Sequence, residues 1–205
     1  MRRYLYWFLV VIAVIVAHPS RVPAGYKFAT LVAFNFTNGG AYPLSGLVGD
    51  ASGNIFGTTV QGGPLGYGDV FELAAGTHTF SNVVIFNGVN GAGPSGNLVV
   101  DGRGNVFGTT LGGYEPANFG TVYSVASGTH ALTTLASSFS LADDSNAPGA
   151  NPIGLAHDPS GNIYGPTYNG GANGHGTFFE VTAGTHAFTS IASFSPLLNP
   201  RPLAV

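Results

Sequence analysis

Six histidines and nine carboxylates are the groups in this chain that could carry acid/base or metal chemistry; no cysteine is present. Three of the histidines, His78, His130 and His186, each close a Gly-Thr-His triplet. Three of the acids, Asp50, Asp101 and Asp158, each open an Asp-x-x-Gly-Asn segment with glycines at Gly53, Gly104 and Gly161. A zinc site needs ligands that converge on one ion. A calcium site needs about six to eight oxygens around one point. These residues return once per copy of a recurring unit, so each copy offers one histidine and one carboxylate at these turns. The spacing therefore favours turn structure: Asp bonds its own backbone two residues on, and Gly supplies positive φ. We expect no metal and no cofactor.

Function in a repeated fold comes from positions that break the repeat, because a site is a local constellation grafted on the fold. The link between the second and third copies carries Asp143 and Asp144, and the second copy has a longer loop with Tyr114 and Glu115. His157 stands where Gly49 and Val100 stand in the other copies, and His175 lies in the third copy's loop. Asp143 or Asp144 with His157 could form an acid/base pair. Glu115 could complete a carboxylate set for polysaccharide cleavage, which requires the acids within about 10 Å of each other. Tyr114 and His175 are ligand-binding candidates, and Tyr42, Tyr67 and Tyr168 are further tyrosines able to stack on sugars. A solvated loop and a tolerated surface histidine are the simpler reading of the acids and of His157. No Ser-His-Asp order or nucleophile elbow is present, and no Lys or helix follows the glycine-rich segments as a phosphate cradle requires.

The elements that position these residues follow from the repeat. Asp-x-x-Gly-Asn recurs at intervals of 51 and 57 residues, and Gly-Thr-His at 52 and 56. Between them fall the glycine pairs Gly62-Gly63, Gly112-Gly113 and Gly170-Gly171. Self-similarity at such a period marks a repeat architecture. Each copy holds four short apolar segments separated by Gly, Asn, Asp and Ser, which read as strands. Phe71 and Leu73 correspond to Tyr123 and Val125 and to Phe179 and Val181, with Glu72, Ser124 and Glu180 between them. Side chains alternate along a strand, so the first set packs and the second leans outward. Four antiparallel strands in about 50 residues is the size of a propeller blade. The expected fold is all-β: a propeller-like array of three four-stranded antiparallel blades, over 35–86, 87–139 and 140–194. An orphan fourth strand, Tyr26–Phe34, precedes them. Pro166 replaces Thr58 and Thr109 inside the second strand. Proline cannot donate to a ladder, so a break or bulge confined to the third copy is expected there.

Met1-Arg2-Arg3 precedes an apolar run of 14 residues, Tyr4–Ala17. That reads as a secretory signal over 1–24, with Val22-Pro23-Ala24 as the cleavage site. An uncleaved anchor is the alternative, although a spanning helix needs about 20 apolar residues. Residues 25–194 then form one repeat domain, and 195–205 a Pro-rich tail. Without residues 1–24 the chain keeps Lys27, Arg103 and Arg201 against nine carboxylates. This acidic balance argues against nucleic acid, whose binding rests on Lys and Arg at phosphates, and against anionic membrane surfaces for the mature domain.

The units Asp-x-x-Gly-Asn-[Ile/Val]-[Phe/Tyr]-Gly-x-Thr, Gly-Gly and Gly-[Asp/Thr]-[Val/Phe]-[Phe/Tyr] resemble the GloVer tandem repeat over about residues 26–194. The resemblance implies an exported, propeller-like bacterial protein, often held at the cell surface by a C-terminal anchor. It implies no established activity and no functional residues. The chain departs from the family in having three complete repeats and no visible C-terminal anchor, so free secretion or a truncated member without independent function is implied. The leading expectation is a non-catalytic secreted or cell-surface module that binds an extracellular glycan or protein. An extracellular polysaccharide-acting enzyme using Asp143, Asp144, Glu115 and His157 is the second. Three blades leave two apolar faces without a neighbour, so either a homodimer closing six blades or an open arc that aggregates or folds poorly is expected.

Overall fold

The computed structural model describes residues 28–36, 39–113, 119–137, 139–141 and 148–195. The expected signal segment over 1–24, Tyr114, Glu115, Asp143, Asp144 and all of the tail but Ser195 lie outside the described residues.

Each repeat builds one antiparallel sheet, termed blade one, two or three. Blade one runs in the order β1 (Val48–Gly49), β2 (Ile55–Thr59), β3 (Asp69–Leu73), β4 (Phe80–Ile85). Blade two is β5 (Ala92–Val100), β6 (Val106–Gly112), β7 (Thr121–Val125), β8 (Leu132–Ala136). In blade three the first strand is split into β9 (Ala150–Pro152) and β10 (Ala156–His157), both paired with β11 (Ile163–Asn169), and β12 (Thr177–Val181) and β13 (Phe188–Ser193) follow. No helix occurs among the described residues. The register repeats: Ile55 faces Leu73, Val106 faces Val125 and Ile163 faces Val181. A bulge recurs in each outer ladder, after Val70, Val122 and Phe178. A bulge bends its strand and increases local twist.

The core lies between blades rather than inside one. Phe56, Val70, Val84 and Phe86 of blade one pack with Leu98, Val106, Tyr123 and Val125 of blade two. Val122, Ala136 and Phe139 of blade two pack with Leu155, Ile163, Phe179 and Val181 of blade three. A strand covered on both faces loses its alternation, and Val70 and Val122 are fully buried beside the aromatic face. Glu72 and Ser124 are half-buried for the same reason, and Glu180 is half-buried beside the Tyr164 hydroxyl (3.4 Å) of its own sheet. The glycine after the aromatic of each second strand has a steric cause. A Cβ at Gly57, Gly108 or Gly165 would overlap the ring of Phe71, Tyr123 or Phe179.

Two expectations are corrected. Residues 28–34 of the orphan segment form no strand, and Phe28 is exposed. A fourth strand needs the third strand of its own sheet to bond, and no such sheet is beside it among the described residues. The break expected only at Pro166 is also absent. The β11–β12 ladder stays in register from Ile163–Val181 to Pro166–Phe178, and β11 continues to Asn169. The interruption lies in the first strand and is shared by every blade. It separates Ala41 from Val48, Ser95 from Val99, and Pro152 from Ala156. At this level Thr58 N–H donates to the Ser45 hydroxyl (3.0 Å), not to a strand carbonyl. Proline at the matching position of blade three therefore removes no ladder bond.

Candidate functional site at the seam of blades two and three

The Asp-x-x-Gly-Asn turns form the same clamp three times. Asp50 Oδ1 accepts from the N–H groups of Ser52 and Asn54 (2.9 Å each), and its Oδ2 from Asn54 Nδ2 (2.9 Å). Asn54 Oδ1 in turn accepts from Ala75 N–H (2.9 Å), which ties this turn to the Gly-Thr-His turn. Asp101 with Asn105 and Asp158 with Asn162 repeat the arrangement. Gly53, Gly104 and Gly161 supply the positive φ of these turns. Burial pushes the Asp101 and Asp158 carboxyls up, but the bonds from Asn105 and Asn162 outweigh it and hold both below the ordinary carboxylate range. Such hydrogen bonds favour the charged form. These oxygens are occupied by the turns themselves.

Gly-Thr-His places His78, His130 and His186 at φ 54, 55 and 54. From this position the histidine of one blade meets the preceding blade. His130 Nε2 lies 3.4 Å from Glu72 Oε2, across the seam of blades one and two. The same place in the next seam keeps its histidine, His186 of blade three, but differs at two positions of blade two. Ser124 stands where Glu72 stands, and Arg103 stands where Ser52 stands. The result is a cleft of about 260 Å³ lined by Arg103, Ser124 and His186, with Phe107 and Leu135 as apolar wall. It offers a guanidinium, an imidazole and a hydroxyl, without the glutamate of the first seam.

The sequence-selected residues do not gather here. His157 ends β10, with Nδ1 3.2 Å from the Asp158 carbonyl oxygen and Nε2 3.0 Å from that of Val100. Carbonyls only accept and a neutral ring has one N–H, so the ring donates to one of these two carbonyls, and the Nε2–H tautomer bonds Val100 and joins blade three to blade two. His175 is exposed in the 170–176 loop. Tyr67 packs against the first core cluster, Tyr42 meets Phe36 edge-on at 5.7 Å, and Tyr168 is exposed. Among the described residues no three His, Asp or Glu side chains gather as a metal site would need.

Sequence reasoning missed Asp69. It stands at the first position of the third strand, where blades two and three have Thr121 and Thr177. Asp69 is fully buried, and neither carboxylate oxygen has a hydrogen-bond partner. Burial pushes its pKa up to about 6. The motif Gly-[Asp/Thr]-[Val/Phe]-[Phe/Tyr] already shows the exchange. Arg103 and Ser124 were equally visible as breaks in the repeat.

The sequence over residues 20–149 matches the Gloeobacter/Verrucomicrobia repeat. The chain belongs to that family. No protein of curated function matches it. Among solved structures it is similar to a chain of a nidogen/laminin complex, with 14% identity and a TM-score of 0.50 over 71% of this chain and 46% of that one. It is similar to streptogramin B lyase, with 15% identity and a TM-score of 0.50 over 77% and 42%. The extracellular domain of a hybrid two-component system from B. thetaiotaomicron gives 12% identity and a TM-score of 0.53 over 82% and 19%. The chain spans less than half the length of each. These likenesses establish a propeller-like, all-β repeat fold and nothing of activity.

Proposed function

We propose that this family member is an exported, non-catalytic binding module, and that its ligand presents a carboxylate to the seam of blades two and three. The supporting observation is the exchange of Glu72 for Ser124 and of Ser52 for Arg103 between equivalent seam positions. It replaces an internal acid–histidine contact with two basic groups and a hydroxyl. A guanidinium matches a carboxylate in bidentate geometry, and the apolar wall of Phe107 and Leu135 suits one ring of a sugar. An acidic oligosaccharide, such as a uronate chain, has this chemistry. The enzymatic alternative would enlist His157, whose two ring nitrogens already face carbonyls.

Calorimetric titration with uronate oligosaccharides tests the reading, with product analysis alongside. Arg103→Ala is expected to weaken binding about tenfold or more, the scale of a lost charge-assisted contact. Ser124→Glu should abolish it by restoring the acid of the first seam. Binding that ignores both substitutions, or release of shortened products, would refute this function. Export is proposed on the N-terminal pattern of the sequence, and a mature N-terminus at Gly25 is expected from the intact mass of the exported protein.

A further inference from the structure

Asp69 is covered by the loop that leads into it. That loop, residues 61–68, joins β2 to β3 and reads Gln-Gly-Gly-Pro-Leu-Gly-Tyr-Gly. The carboxylate lies against Gly63, where an added Cβ would overlap both of its oxygens. Neither oxygen has a hydrogen-bond partner, and the residue is fully buried. An ionised carboxylate without partners is far better served by water than by such a corner. No charged side chain stands on β2, β4, β5 or residues 39–41, and Tyr67 is the one titratable group of the loop. Glu72 lies at the other end of β3, against His130.

The matching loop of blade three, residues 170–176, is latched to the end of its own sheet. Ala172 N–H donates to Ser193 Oγ (3.2 Å), and Asn173 Nδ2 donates to the Phe194 carbonyl (3.2 Å). Blade one lacks both latches. Pro64 stands in the place of Ala172 and has no N–H. Ile85, the partner of Asp69 in the ladder, stands in the place of Ser193, the partner of Thr177, and has no hydroxyl. Leu65 stands in the place of Asn173, offers no side-chain donor and is 55% exposed. The loop that covers the orphaned acid is thus the loop without these fastenings.

We infer that residues 62–67 form a flap that closes over protonated Asp69 and swings out when the carboxyl ionises, admitting water to it. Tyr67 couples the flap to the next blade. Its carbonyl accepts from Gly93 N–H (2.9 Å), and its side chain packs against the core of the first seam. Opening breaks that bond and uncovers one end of the seam. The direction follows from burial, which raises the Asp69 carboxyl to about 6 from an ordinary value near 3.8. The closed flap therefore favours the protonated acid. The ratio of closed to open is highest below about pH 4, falls between about pH 4 and 6, and is level above.

Hydrogen exchange tests this, with protection factors corrected for the intrinsic rate at each pH. The Gly63 and Gly93 amides donate to the Phe36 and Tyr67 carbonyls. Their protection should fall about 100-fold between pH 4 and pH 7. The Gly174 and Gly176 amides of the latched loop should hold steady. Asp69→Thr should remove the fall. Pro64→Ala with Ile85→Ser restores a donor and an acceptor at the latch. This double variant should protect Gly63 about tenfold better at pH 7, the scale of one hydrogen bond. Protection that ignores pH, or a fall that survives Asp69→Thr, would overturn the inference. So would a double variant no better protected than the parent. Gly63 as well protected at pH 7 as the amides of β3 would also overturn it, because the blade and not a flap would then be opening.

Discussion

Blades one and two solve the same corner differently. In blade two the Thr110 and Thr121 hydroxyls bond each other at 2.9 Å, and Thr121 N–H donates to Thr110 Oγ1 at 3.0 Å. Blade three repeats this with Thr167 and Thr177, at 3.1 and 2.8 Å. In blade one Thr59 faces Asp69 across the same ladder, and neither side chain has a hydrogen-bond partner. A threonine pair satisfies itself because each hydroxyl both donates and accepts. An ionised carboxylate only accepts, and burial without a partner is costly. The comparison shows one backbone tolerating either a closed polar pair or an open acid, and locates the weakest polar packing in the core.

The largest expected effect comes from removing that difference. Burial raises Asp69 to about 6 from an ordinary value near 3.8. The folded state therefore holds a proton that the unfolded chain has already released over this interval. Stability should fall as pH climbs from about 4 to about 6 and stay level above it. Asp69→Thr should abolish the slope and add about 2 to 3 kcal/mol at pH 7.5, with little gain below pH 4. Urea unfolding across that pH range measures both. An equal gain at every pH would mean that the charge of Asp69 is irrelevant.

The converse exchange is smaller. Thr121→Asp should install a shallower slope of the same sign in blade two at a cost of about 2 kcal/mol, because the Thr110 hydroxyl can turn to donate and offset part of the desolvation. Loss of stability that does not vary with pH would indicate a packing defect instead. Smaller again is the contrast between Thr110→Val and Thr59→Val. The first breaks a satisfied buried pair and should cost about 1 kcal/mol. The second removes an unpartnered hydroxyl and should be neutral or slightly stabilising. Thermal melts of the two variants side by side provide the measurement.

The repeat, the all-β class and the hairpin turns were legible because turn chemistry is local. Asp50 bonds Asn54 four residues away, and a spacing alone can reveal that. The orphan strand was misread because a strand is a property of two segments: Phe28, Leu31 and Phe34 match Phe80, Val83 and Phe86, but among the described residues no third strand stands beside them. The outward lean of Glu72, Ser124 and Glu180 was half right. They do alternate with the aromatics, but at Glu72 and Ser124 the following blade covers that face too. The seam cleft was hidden for a related reason. Arg103, Ser124 and His186 come from different repeats or different strands, and only blade-on-blade packing brings them together. The chosen acids drew attention by clustering in sequence, whereas Asp69 departs from the repeat by one residue in a buried place.

The smallest effect concerns Pro166, where blade three differs from blade one. In blade one, Thr58 N–H finds the Ser45 hydroxyl. In blade three the residue matching Ser45 is Ile153, whose own N–H donates to the Pro166 carbonyl at 3.2 Å. Pro166→Thr keeps that carbonyl contact but introduces an N–H with no hydroxyl opposite. It also surrenders the restriction proline imposes on the unfolded chain, which contributes about 0.4 to 1 kcal/mol where the native backbone suits it. A net loss of about 0.5 to 1 kcal/mol is therefore expected, read as a shifted urea midpoint with unchanged slope. Adding Ile153→Ser supplies the missing acceptor, and because Ile153 is 40% exposed its truncation costs little packing. The double variant should regain most of the loss, making blade three bond at this level as blade one does. If the serine recovers nothing, the introduced N–H was satisfied another way, and proline's hold on the unfolded chain is the whole of its effect.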